Sequence, residues 1–117
     1  MDFQLTKDQM DLQARARELA RGSFEERAAE IDRSEQYPWH NVDDLKYAGF
    51  MGMTIPREYG GQGRTFLDAT LVIEQMAQVC GVTGRIAVES NMGAISTVMK
   101  YGTEEQRKMA ASFVLNG

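Results

Sequence analysis

Apolar positions along this chain recur at helical rather than strand spacing. Leu5, Leu12, Ala16 and Leu19 stand seven, four and three residues apart, and Thr6 with Gln9 has the form of a capping box at the start of that run. Gly22 is expected to end this first helix. A second, weakly apolar helix is predicted over 23–33, carried by Phe24, Ala28 and Ile31. Pro38 suits the opening of a short third helix, with Val42, Leu45 and Ala48 along one face and Gly49 closing it.

Residues 50–65 break the period. Phe50, Met51, Met53 and Ile55 surround Gly52, then Pro56 and the run Gly60-Gly61-Gln62-Gly63 follow, so this stretch reads as a connector that starts extended and then turns. From Phe66 the pattern becomes strongly apolar: Leu71, Val72, Ile73, Met76, Ala77 and Val79 leave a narrow polar face, which predicts a central, largely buried fourth helix. A fifth is expected over 84–100, with Ile86, Ser90, Gly93, Ala94, Thr97 and Val98 at three- and four-residue steps. Its small residues allow close approach of a neighbour or a ligand. Tyr101-Gly102 ends it, and Thr103 with Gln106 caps a last helix running to Leu115, where Glu104 and Glu105 favour the positive end of the helix dipole. Six helices without a strand pair or internal repeat make the expected fold all-α, an irregular six-helix bundle.

Length and composition narrow the functional classes. A chain of 117 residues is one domain's worth, and 43% hydrophobic with 26% charged residues is ordinary for a globular protein. The net charge of −4 is local: residues 1–50 hold seven basic and eleven acidic side chains, whereas 51–117 hold six of each. Without a basic stripe, nucleic-acid binding is not expected. No stretch has the ~20 apolar residues of a membrane span, and the N-terminus lacks the basic and apolar regions of a signal peptide. The lone Cys80, in an apolar run, is expected to be a small buried hydrophobe, and a single cysteine fits a reducing, cytoplasmic setting.

The catalytic inventory is thin. His40 is the only histidine and has no neighbouring ligand or nucleophile, so no metal site and no catalytic residue is expected in this chain. The triple-glycine run lacks the Gly-Lys-Ser/Thr ending of a phosphate loop and is better explained as a tight turn. Two charged features stand in apolar surroundings. Glu74 lies either on the polar face of the fourth helix or buried against a partner. Arg85 and Glu89 are four residues apart, so they meet on one helix face, either as a surface ion pair or as the rim of a pocket for which Ser90 and Gly93 leave room.

Several blocks fall together into a family pattern. They are Leu5-Thr6 with Gln9, Asp32-Arg33 with Tyr37-Pro38, and Ala48-Gly49-Phe50-Met51-Gly52-Met53 leading to Ile55-Pro56 and Glu58-Tyr59-Gly60-Gly61. Leu71-Val72-Ile73-Glu74-Gln75-Met76-Ala77, Tyr101-Gly102-Thr103-Glu104-Glu105-Gln106 and the closing Asn116-Gly117 complete the set. In order and spacing the chain resembles the N-terminal helical domain of the acyl-CoA dehydrogenase family over essentially its whole length. That resemblance implies an enzyme of three parts: this helical domain, a middle β-barrel domain and a C-terminal four-helix domain. FAD lies mainly between the second and third, and the glutamate that abstracts the α-proton belongs to the third. The chain is accordingly read as one domain over 1–117, with the middle and C-terminal domains absent. It alone is expected to bind no FAD and to be catalytically silent; its implied partners are those missing domains, an acyl-CoA substrate and further copies in the family's usual tetramer.

In such enzymes the helical domain supplies one wall of the acyl cavity, through the segment matching residues 86–93 here. The resemblance therefore implies that Arg85, Glu89, Ser90 and Gly93 bind substrate. Arg85 departs from straight-chain members, which carry an uncharged residue there. Together with Glu35-Gln36-Tyr37-Pro38-Trp39 and Ser90-Asn91, it makes the chain look most like the 3-sulfinopropionyl-CoA desulfinase branch, which cleaves a C–S bond without net oxidation. An arginine at the acyl end suits a short chain ending in a sulfinate or carboxylate. The reading from another class is a non-catalytic helical interaction module with its own sealed surface.

Overall fold

A computed structural model describes residues 2–117 and is all-helical among them. Helix α1 (Lys7–Leu19) starts at the expected capping box: the Thr6 hydroxyl accepts from the Gln9 backbone N–H, and the Gln9 side chain accepts from the Thr6 N–H. Gly22 does not end the rod. The chain passes through a π-type turn (Ala20–Phe24), in which the Glu25 N–H reaches back five residues to the Ala20 carbonyl, straight into α2 (Glu25–Ser34). The reason lies in Leu12, Ala16, Ala20 and Phe24, all at most 2% exposed. Residues four apart overshoot an α-turn by about 40°. One wider turn takes up that drift and keeps Phe24 on the same buried line. The glycine sits exposed on the outer side, where no left-handed residue is required. The rod ends instead at Glu35, which adopts φ 55° and ψ 22° as the C-cap of α2.

Helix α3 (Trp39–Tyr47) follows Pro38 and ends in a Schellman turn: Phe50 N–H bonds the Leu45 carbonyl at 2.8 Å and Gly49 N–H the Lys46 carbonyl at 3.0 Å, with Gly49 at φ 80°. The connector then folds on itself. Arg64 N–H meets the Met53 carbonyl (2.8 Å) and Gly63 N–H the Ile55 carbonyl (2.9 Å) around a single 3₁₀ turn (Arg57–Tyr59). A Cβ on Gly61 would lie 2.0 Å from the Ile55 carbonyl oxygen, which is why the turn needs that glycine.

Helix α4 (Phe66–Val79), capped by Thr65 and Asp68, packs against α1 and α5. Cys80, buried as expected, is the whole corner between α4 and α5 (Gly81–Asn91). Gly84 lets the two helices touch, since a Cβ there would stand 2.8 Å from both Cα and Cβ of Ala77. The single fifth helix expected over 84–100 is divided in two. It starts at Gly81, breaks at Met92 and Gly93, and resumes as α6 (Ala94–Tyr101). At the break the Ser96 hydroxyl bonds the carbonyls of Met92 (2.6 Å) and Gly93 (2.9 Å) in place of the helical ladder. Helix α7 (Glu104–Asn116) closes the chain behind the Thr103–Gln106 capping box. With α1 and α2 fused and the fifth helix split, the described residues still form six rods, differently divided.

The rods make a slab of 40 × 39 × 21 Å with two separate apolar clusters. The larger unites α1, the π-type turn, α3, the connector and α4 around Leu12, Phe24, Leu45, Phe50, Val72 and Met76; the smaller gathers Ile55, Ile95 and Ala111 with Tyr59, Met99, Val114 and Leu115.

Candidate functional site

Arg85 and Glu89 lie one turn apart on α5. Their side chains meet, with Nη2 of Arg85 2.6 Å from Oε1 of Glu89. The arginine side chain is 75% exposed and the glutamate 45%. The second glutamate oxygen points down the helix onto Gly93: a Cβ at that position would stand 2.1 Å from Oε2. Arg85, Glu89 and Gly93 therefore form one continuous strip running into the break between α5 and α6. Ser90 belongs elsewhere. It is 5% exposed, its hydroxyl donates to the Ala87 carbonyl at 3.2 Å, and it accepts from Asn91 Nδ2 at 3.2 Å, so it turns towards the protein interior. Glu74 lies on the polar face of α4, the first of its two expected positions, and His40 is exposed.

The strip is held from behind by Asn91, which no sequence signal marked beyond its place in the family pattern. Asn91 is fully buried. Its Oδ1 accepts from the Met53 backbone N–H at 2.6 Å, and its Nδ2 donates to the carbonyls of Phe50 and Ala87, both at 2.9 Å. The Thr54 hydroxyl adds a bond to the Asn91 carbonyl. One amide thus satisfies backbone groups of the connector and of α5 at once, fixing where α5 ends. A second buried amide, Asn41, ties α3 to α5 and α2: Nδ2 donates to the Thr83 hydroxyl (2.8 Å) and Oδ1 accepts from Arg27 Nη1 (2.9 Å). Arg27 also donates to Asp44 at 2.7 Å.

A groove of about 670 Å³ opens between α2 and the start of α3, lined by Glu26, Arg27, Glu30, Tyr37, Trp39 and His40 among others. The rings of Tyr37 and Trp39 meet edge to face there, their centroids 4.6 Å apart. Among the described residues no group of three or more His, Cys, Asp or Glu side chains could hold a metal ion, and no helix is long and apolar enough to cross a membrane.

Electrostatic perturbations lie away from the strip. Arg64, hydrogen-bonded to Asp8 at 2.9 Å, holds the Asp8 carboxyl below its usual pKa. The Tyr59 hydroxyl donates to Glu104 at 2.7 Å, which raises the phenol's pKa.

Residues 6–117 match the family described as acyl-CoA dehydrogenase, N-terminal domain. The chain belongs to the acyl-CoA dehydrogenase family. Among its relatives, a 3-sulfinopropanoyl-CoA desulfinase of Variovorax paradoxus is 57% identical over 98% of this chain and 29% of its own length. A short-chain specific acyl-CoA dehydrogenase of Clostridium acetobutylicum is 37% identical over 92% of this chain and 28% of its own. In three dimensions the domain superposes with a TM-score of 0.84, at 30% identity, on a chain from a study of the electron-transferring flavoprotein of Acidaminococcus fermentans, covering 100% of this chain and 31% of that one. This acyl-CoA dehydrogenase-family domain thus spans less than a third of the relatives it matches, and it is more similar to the desulfinase than to the dehydrogenase.

Proposed function

We propose that the protein is a flavin-dependent enzyme of the acyl-CoA dehydrogenase type acting on a short acyl-CoA with an anionic end, and that this helical domain forms one wall of its acyl pocket. The observation that carries the reading is Arg85, a guanidinium 75% exposed on α5 in a chain 57% identical to a desulfinase named for 3-sulfinopropanoyl-CoA. A sulfinate or carboxylate presents two oxygens in a plane, which matches the paired N–H groups of a guanidinium. Glu89 engages only Nη2, so further donors of Arg85 stay free for such a group. The desulfinase form of the reaction cleaves a C–S bond without net oxidation, and the dehydrogenase form removes two electrons from a CH–CH unit.

A flavin supplies the two-electron acceptor for dehydrogenation when it is bound. The groove beside α2 does not fit one. Its carboxylates, Glu26 and Glu30, oppose a pyrophosphate, and its arginine, Arg27, is already shared between Asn41 and Asp44. We therefore assign flavin and catalytic base to the middle and C-terminal domains of a longer protein, and binding and orientation of the acyl end to this one. Those domains and other copies of the same chain are its proposed partners.

The test is Arg85→Ala in the full-length protein, comparing 3-sulfinopropanoyl-CoA with butyryl-CoA. Loss of charge-assisted hydrogen bonds is expected to weaken the anionic thioester by about tenfold or more and to leave the butyryl thioester within about twofold. Equal losses for both overturn the role given to Arg85.

A further inference from the structure

The Arg85–Glu89 pair is too exposed to matter much for folding. Exposed i,i+4 pairs change a folding equilibrium by about twofold. Its geometry is nevertheless specific, because it requires an absence of side chain at Gly93. The Glu89 carboxylate is spread between two contacts: Oε1 on the Arg85 guanidinium at 2.6 Å, and Oε2 over the Gly93 Cα, in the space where a Cβ would be only 2.1 Å away. Gly93 also stands at the helix break pinned by Asn91 and Ser96, so the floor beneath the carboxylate is fixed.

We propose that Glu89 and Gly93 are specificity-determining positioning residues, Gly93 seating the Glu89 carboxylate and Glu89 holding the Arg85 guanidinium in one orientation for an anionic acyl terminus. The inference deepens the reading of Arg85 above and rests on it. Two opposed effects have to be weighed. Glu89 places a negative charge beside the guanidinium, which at this exposure opposes an incoming anion by about two- to threefold. It also keeps a long side chain in the binding rotamer about half the time, as a pair worth about twofold must, against about a tenth for a free one, which favours binding by about fivefold. Orientation outweighs repulsion, so the carboxylate assists the anion it resembles.

The experiment measures dissociation constants of the full-length protein for 3-sulfinopropanoyl-CoA and butyryl-CoA by calorimetry. Glu89→Ala is expected to lower the preference for the anionic thioester by about twofold, the rotamer loss less the relieved repulsion. Glu89→Gln, which keeps an acceptor of the same shape, is expected to retain the preference or sharpen it. Gly93→Ala should reproduce Glu89→Ala, and combining the two should add no further loss, because both release the same guanidinium. An unchanged or increased preference in Glu89→Ala overturns the proposal, and so does a Gly93→Ala loss that adds fully to it. Should Gly93→Ala fail to fold by circular dichroism, the contrast between Glu89→Ala and Glu89→Gln still decides the role of Glu89. If Arg85→Ala weakens both thioesters equally, or neither binds, the underlying reading fails; if Arg85→Ala is selective and Glu89→Ala is not, only this inference does.

Discussion

The side-chain amide of Asn91 stands in for a strand neighbour of Met53: its Oδ1 takes the Met53 backbone N–H at 2.6 Å while its Nδ2 reaches the Phe50 carbonyl three residues earlier at 2.9 Å. Two backbone groups that a loop would otherwise leave dry are satisfied by a residue 38 and 41 positions away. Replacing Asn91 with alanine removes both partners at once and leaves buried donors and acceptors unmatched. The expected loss is about 2–4 kcal/mol, read as a lower urea midpoint with an unchanged slope. A midpoint within error of the parent would show that water can enter and take over these bonds.

Gly22 and Gly61 should respond in opposite directions to the same substitution. A Cβ on Gly22 meets nothing within 4 Å, and the residue lies inside a continuous rod, so Gly22→Ala is expected to stabilise by about 0.5–1 kcal/mol. If the rod ended there in a left-handed turn, alanine would destabilise instead. At Gly61 the new Cβ collides with backbone, and a loss of about 2–3 kcal/mol is expected. Thermal unfolding of the two variants beside the parent checks both signs.

Arg27 is half-exposed but supports a buried group. Arg27→Ala leaves the Asn41 Oδ1 without its donor in a residue that is 0% exposed. A destabilisation of about 1–2 kcal/mol is expected, larger than a surface ion pair gives. The double variant Arg27→Ala with Asp44→Ala should add little, since the cost arises at Asn41 rather than at the Arg27–Asp44 contact.

Two pH dependences follow from neighbouring charges. Arg64 depresses the Asp8 pKa below 3.8 in the folded chain, so that contribution is complete above the unfolded value and fades as pH falls through the folded one. Asp8→Asn should therefore flatten the acid end of the stability profile, only slightly, because the carboxylate is in water. Tyr59 behaves in the opposite sense. Its pKa is raised above 10.0, so its bond to Glu104 contributes fully below pH 10 and is lost above it. In Tyr59→Phe the alkaline decline attributable to this phenol should vanish from a titration of folding stability.

The all-α class, the starts of α1 and α7 and the Schellman glycine after α3 were legible because each is decided within a few residues: an apolar stripe, a capping box, a left-handed glycine. Gly22 misled because a glycine after an apolar run is locally indistinguishable from a helix terminator. Whether it is one depended on Phe24 having a buried seat in line with Ala16 and Ala20, and that seat is built by α3, α4 and the connector. The split of the predicted fifth helix had the same cause, because Asn91 finds its partners at Phe50 and Met53. The Arg85–Glu89 contact could be read from four-residue spacing alone. Ser90, one step further round the helix, could not be oriented without knowing which side of α5 faces the connector.

The two apolar clusters share no buried residue: the larger carries the weight of α1, α3 and α4, and the smaller fastens α6 and α7 through Ile55, Ile95 and Ala111. The domain thus has two cores of unequal size within one slab. Backbone amides of α6 and α7, held by the smaller core, are expected to trade hydrogen for deuterium by local opening, well before those of α1 and α4 are released by global unfolding. Arg85 and Glu89 sit beside the break at Met92 and Gly93 where α5 gives way to α6, so slower exchange across α6 on adding a ligand would report its contact there.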